Sequence, residues 1–194
     1  MIDEYTTING TGEGFYSEKR SKFFAFAHHV STRDEVKNLH QFYKEKYYDA
    51  RHVCYAYLLG PEQDDSRMVD DGEPSSTAGK PILGQILSHQ LTDVVVFVIR
   101  YFGGVKLGTS GLIRAYRTAA DDALNHTDIV TRYVEEVIDW QFTYPMMNAV
   151  MHLVKEMDLK IISRNFDTNC SIRLSIRKGD AEEVRRRLSN LSFE

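Results

Sequence analysis

The chain has 194 residues, of which 42% are apolar and 27% charged, enough for one or two globular domains. Lysine and arginine total 24 against 28 aspartates and glutamates, a net charge of −4. That balance excludes nucleic-acid binding by bulk positive charge, although a local basic surface stays open. Cys54 and Cys170 lie far apart and form no CxxC, zinc spacing or disulfide framework. The longest apolar run, residues 94–99, is too short to span a bilayer, and the acidic, polar start is not a secretory signal. A soluble cytoplasmic protein is expected.

In chain order, Gly10, Gly12 and Gly14 predict a loose loop or hairpin arm up to residue 16. Residues 22–30 (KFFAFAHHV) read as a strand apolar on both faces, and so central in a sheet. Thr32 and Glu35 form a capping box for a helix that places Val36, Leu39, His40, Tyr43 and Tyr47 on one face. Asp49-Ala50 ends it, and residues 52–59 (HVCYAYLL) give a second strand. Residues 60–66 are a polar turn, and residues 70–81 show neither periodicity. A short helix follows with Pro81 in its first turn. The strongest strand is residues 93–101 (DVVVFVIRY). A glycine-rich loop, residues 102–111, then opens a helix striped by Leu112, Tyr116, Ala119 and Ala123. This is an α+β domain ending near residue 130.

The remainder predicts strand 133–142, helix 145–157, strands 160–166 and 170–176 around Asp167-Thr168-Asn169, and a last helix capped by Asp180 with Glu183. That order, β-α-β-β-α, is ferredoxin-like, with a final strand left to residues 189–194. Two α+β domains are therefore expected, 1–130 and 131–194. The first carries 14 basic and 18 acidic groups and the second ten of each, so neither is a basic module.

Two segments carry more polar chemistry than a loop needs. Residues 70–81 (DDGEPSSTAGKP) hold three carboxylates, three hydroxyls, two glycines and a lysine. Backbone amides feeding a helix start make an anion site, and Lys80 can add a point charge for a phosphate. The segment is not a Walker A loop, because six residues rather than four separate Gly72 from Gly79 and Pro81 stands where Ser or Thr binds magnesium. Thr77 and Lys80 imitate S-x-x-K without its companion motifs. Residues 100–114 (RYFGGVKLGTSGLIR) run from a buried strand into a helix start. Thr109 or Ser110 can cap that helix, and Arg100, Lys106 and Arg114 supply charge. Neither G-x-G-x-x-G nor G-x-S-x-G is present.

The candidate ligand-binding residues are thus Asp70, Asp71, Gly72, Glu73, Pro74, Ser75, Thr77, Gly79 and Lys80 from the first segment. The second contributes Arg100, Gly103, Gly104, Lys106, Gly108, Thr109 and Arg114. Tyr101 and Phe102 read as core aromatics, with base stacking as the alternative. His52 and Cys54 share a strand face, which fits a polar contact better than a metal. Asp70, Asp71 and Glu73 can hold Mg²⁺, but carboxylates that fix their own loop by hydrogen bonds are favoured. The basic cluster Lys19-Arg20-Lys22 reads as a solvated strand entrance. No catalytic residue, metal or cofactor is assigned.

These motifs resemble the IMPACT/YigZ family: SEKRSKFFAFA at 17–27, ARHVCYAY at 50–57, DDGEPSSTAGKPIL at 70–83 and VVVFVIRYFGGVKLGTSGLIRAY at 94–116. The resemblance implies a four-stranded, two-helix α+β sandwich for the first domain. That arrangement is shared with a small-subunit ribosomal protein domain, the fourth domain of elongation factor G and small-metabolite kinases. The second domain is similar to an elongation factor's terminal domain. Ser76 and Ser110 depart from glycines expected in relatives. Eukaryotic members are regulators of translation under amino-acid stress, competing for an activator of a translation-initiation-factor kinase. The resemblance favours a non-enzymatic, translation-associated binder of RNA, the ribosome or a protein partner. The alternatives are an enzyme on a phosphorylated or nucleotide substrate and a protein scaffold without an anion site.

Overall fold

The computed structural model describes residues 2–167 and 169–191. Its contacts divide the chain into two compact units, Tyr5–Arg132 and a second formed by Tyr133–Glu194 with Met1–Glu4.

The first unit is built on a five-stranded sheet in which every neighbouring pair is antiparallel. Its strands are β2 (Thr11–Glu18), β3 (Ser21–His29), β4 (His52–Leu59), β5 (Asp65–Val69) and β6 (Val94–Tyr101), in the order β2-β3-β6-β4-β5. The three central strands are those read from continuous apolar runs, and helices cover both faces. One face, with Phe23, Ala25, Cys54, Ala56, Val96 and Val98, packs against α2 (Gly79–Ser88) and α3 (Gly108–Asn125). The other, with Phe26, Val53, Tyr55, Val95 and Phe97, packs against Val36 and Tyr43 of α1 (Arg33–Lys46). The capping box at Thr32 and Glu35 forms as expected. Five strands and three helices replace the four and two implied by the family resemblance.

The glycine-rich start is not a loose loop; of the two expected forms the hairpin holds, with β2 paired antiparallel to β3. It supplies β1 (Glu4–Asn9), which pairs with β7 (Asp128–Tyr133), and the edge strand β2. The glycines of β2 serve close approach: a Cβ on Gly12 would lie 2.1 Å from the Ala123 carbonyl oxygen, and one on Gly14 2.3 Å from the Ala123 amide. Glycine here lets α3 lie directly on the strand backbone. The polar turn also ends earlier than expected, because β5 begins at Asp65 on the opposite sheet edge. An edge strand with one side in solvent carries little apolar pattern to read.

The second unit orders β8 (Glu135–Phe142), β10 (Cys170–Arg177) and β9 (Lys160–Asn165) as an antiparallel sheet, β8-β10-β9. α4 (Met147–Glu156) and α5 (Ala181–Leu191) complete the β-α-β-β-α order. Ile138, Ile172 and Leu174 meet Val150, Leu153, Val184 and Leu188 in a separate core. Asp3 joins this unit: its carboxylate accepts from Arg177 Nε at 2.5 Å and the Gly179 amide at 2.6 Å. Asp180 lies in a 3-10 turn leading into α5. The strand expected at 189–194 meets helix as far as Leu191, and its last three residues, like Thr168 of the expected turn, lie outside the described residues. Among the described residues, no helix is long and apolar enough to cross a membrane.

Candidate functional site

The three carboxylates of the first polar segment all bind their own chain. Asp70 turns its carboxylate onto the amides of Ser76, Ala78 and Gly79, at 2.8, 3.1 and 2.9 Å. These are the amides expected to meet a phosphate at the start of α2, and the chain's own anion takes that place. Asp71 accepts from the Val53 amide at 2.8 Å and Lys44 Nζ at 3.1 Å. Burial acts to raise the Asp71 carboxyl, but the Val53 amide and Lys44 outweigh it and hold the group below its ordinary value.

The strand under this loop explains the spacing of His52 and Cys54. His52 Nδ1 lies 2.7 Å from the Asp71 carbonyl, which can only accept, so Nδ1 carries the proton. Cys54 Sγ donates to the Asp70 carbonyl at 3.0 Å and lies 3.4 Å from Tyr116 Oη. Burial pushes the Cys54 thiol well above its ordinary value and keeps it a donor. Both side chains clamp the loop, and among the described residues no group of His, Cys, Asp and Glu is placed to hold a metal.

Glu73 and Arg100 join the two polar segments. The Glu73 carboxylate accepts from Arg100 Nη1 at 2.5 Å and from Tyr116 Oη at 2.8 Å, with both charged residues buried. Burial raises Tyr116 far above its usual range, so its hydroxyl stays protonated and donates. The Arg100 guanidinium lies between the Phe23 and Phe102 rings, 5.5 and 5.6 Å from their centroids. Its Nε is buried and has no hydrogen-bond partner among the described residues. Ser21 Oγ accepts from Arg100 Nη2 at 3.5 Å and the Gly103 amide at 3.1 Å, tying the second glycine-rich loop to the turn before β3. A Cβ on Gly103 would come within 2.2 Å of that turn's backbone, so only glycine fits.

A cavity of about 420 Å³ opens beside this pair. Glu73 and Pro74 reach it from the first segment, and Arg100, Phe102, Lys106, Leu107, Gly108 and Thr109 from the second. Arg51 and His52 at the start of β4 and Leu112 of α3 complete its wall. Arg51 and Lys106 make no ion pair among the described residues, and Phe102 is 45% exposed. The start of α3 is not capped by Thr109 or Ser110; its N-cap is Leu107, with no side-chain bond.

Other predicted residues go elsewhere. Ser75, Thr77 and Lys80 line a second cavity between α2 and α3 with Arg117, and Thr109 borders both. Arg114 is largely exposed and pairs with Glu18 at 2.5 Å, facing neither cavity. Gly72, Gly104 and Gly108 adopt positive φ and shape the loops, while Gly79 sits against the Val69 amide. Tyr101 packs edge-on against Phe24, whereas Phe102 faces the cavity. Arg51 is the lining residue that sequence reasoning passed over. Its only signal is its place beside His52 within a family motif.

The family model of the Impact N-terminal domain matches residues 19–124, which hold both glycine-rich segments and the cavity. Over 169 residues the chain is 32% identical to the IMPACT family member YvyE of Bacillus subtilis, covering 87% of this chain and 78% of that protein. A Thermus thermophilus IMPACT family member is 44% identical over 142 residues, covering 73% and 76%. A crystal structure of a hypothetical protein matches with a TM-score of 0.79 at 25% identity, over 99% of this chain and 94% of that one. By the matched domain and by similarity along most of its length, the chain belongs to the IMPACT family.

Proposed function

We propose that this protein is a non-enzymatic, translation-associated regulator that binds RNA through the cavity of its first unit. The observation that carries the reading is the convergence of both glycine-rich segments on Arg51 and Lys106, two exposed cations without ion-pair partners among the described residues, beside the Phe102 ring. Cations and an aromatic face are what single-stranded RNA requires. The link to translation comes from the resemblance to eukaryotic family members. Binding is favoured over catalysis because Asp70, Asp71 and Glu73, the groups available for acid–base work, are engaged in holding the fold.

The test is cosedimentation with 30S and 70S ribosomes, and titration with single-stranded RNA, at two salt concentrations. Arg51→Ala/Lys106→Ala runs alongside. Affinity should fall steeply with salt. The double variant should bind more weakly and lose about 1.4 from the log–log salt slope, the loss of two neutralised phosphate charges. Absence of binding at low salt would refute the reading.

A further inference from the structure

We infer that the cavity seats the end of an RNA strand, taking its terminal phosphomonoester and stacking the attached base on Phe102. The inference rests on the RNA reading and specifies which part of the strand the cavity recognises.

Charge distinguishes an end from an interior. Three cations, Arg51, Arg100 and Lys106, face the cavity against the single carboxylate of Glu73, leaving two positive charges uncompensated. An internal phosphodiester carries one negative charge, whereas a phosphomonoester carries about 1.5 to 2 at neutral pH. A terminal phosphomonoester matches that charge in a single group, where the interior of a strand would need two phosphodiesters.

Hydrogen-bond donors point the same way. The molecule has two glycine-rich entries into helices in this region, and it treats them differently. At α2 the amides of Ala78 and Gly79 are bound by Asp70. At α3, an 18-residue helix, the N-cap Leu107 makes no side-chain bond, and Gly108 and Thr109 border the cavity. Arg100 lines the same cavity, with its Nη1 donating to Glu73. Phe102 gives the base a ring to stack on, with the Arg100 guanidinium behind it. A volume of about 420 Å³ suits one nucleotide rather than a length of strand.

The experiment compares three octaribonucleotides of one sequence, bearing a 5′-phosphate, a 3′-phosphate or hydroxyls at both ends. Each carries its fluorophore within the strand, and binding to the full chain is read by anisotropy. At least one phosphorylated form should bind tenfold or more tightly than the hydroxyl-ended form. That advantage should vanish in Arg51→Ala/Lys106→Ala, whose exposed side chains can be removed without disturbing the core. Equal affinity for all three, or an advantage that survives in the variant, would overturn the inference while leaving RNA binding intact. Failure of all three to bind would overturn both.

Discussion

Glu73 is one of three acids within four residues, yet its carboxylate is buried and bonded across the fold to Arg100 and Tyr116. Truncating it leaves a buried guanidinium without its counter-charge, and removing one member of a buried pair costs about 3–5 kcal/mol. Glu73→Ala should therefore lower unfolding free energy by that amount in a denaturant titration. A loss below about 1 kcal/mol would mean that the pair is effectively solvated. Ser76 presents the opposite case. It holds φ at +64°, in the left-handed region, at a position where relatives are expected to carry glycine. Left-handed backbone costs an ordinary residue about 1–2 kcal/mol, and glycine's extra chain entropy takes back about 0.5–1. Ser76→Gly should thus stabilise by about 0.5–1 kcal/mol, since the amide that meets Asp70 belongs to the backbone and survives the change. A destabilised variant would show that the serine side chain has a contact that outweighs the strain.

Among the elements, the segment between β5 and α2 behaves as an ordered part of the structure because its acids point inward at amides. Asp71 links it to β4 and to Lys44 of α1, and its carboxyl is held below the ordinary value of 3.8. A depressed folded value means that the charged carboxylate stabilises the native state above the unfolded pKa. That contribution is lost as pH falls below about 4. Replacing Asp71 with asparagine should flatten the fall in Tm between pH 5 and pH 3, while lowering Tm at pH 7. An unchanged acid slope would assign the sensitivity to other carboxylates. The contrast between the two helix starts belongs to this scale as well. Both follow glycine-rich segments, and among the described residues only the amides at α2 are covered by an acid.

For the whole molecule, the two units have separate cores, one system around residues 8–124 and another within 138–191. Leu174 is fully buried in the second. Leu174→Ala should destabilise that unit by about 2–5 kcal/mol. Amide exchange should then accelerate in β8–β10 while protection in β3, β4 and β6 is retained. Equal loss of protection in both units would show that they unfold as one cooperative body.

The amino-acid order by itself determined the central strands, the capped α1, the β-α-β-β-α order of the second unit and the family. Each is written locally: a strand buried on both faces must be apolar throughout, and a capping box spans four residues. Tertiary structure decided the rest. Gly12 and Gly14 look like loop residues until α3 is laid on them, and β5 and β7 carry too little apolar pattern to announce themselves. The site divides along the same line. The two polar segments were legible from composition, because so dense a set of glycines, acids and hydroxyls has little to bury. Which acid meets which donor depends on sheet order, which sets β4 beside β6 and brings His52 opposite Arg100. Only that pairing gathers Arg51, Glu73, Arg100 and Lys106 around one cavity, since periodicity reports how deeply a segment is buried and not which distant segment it will face.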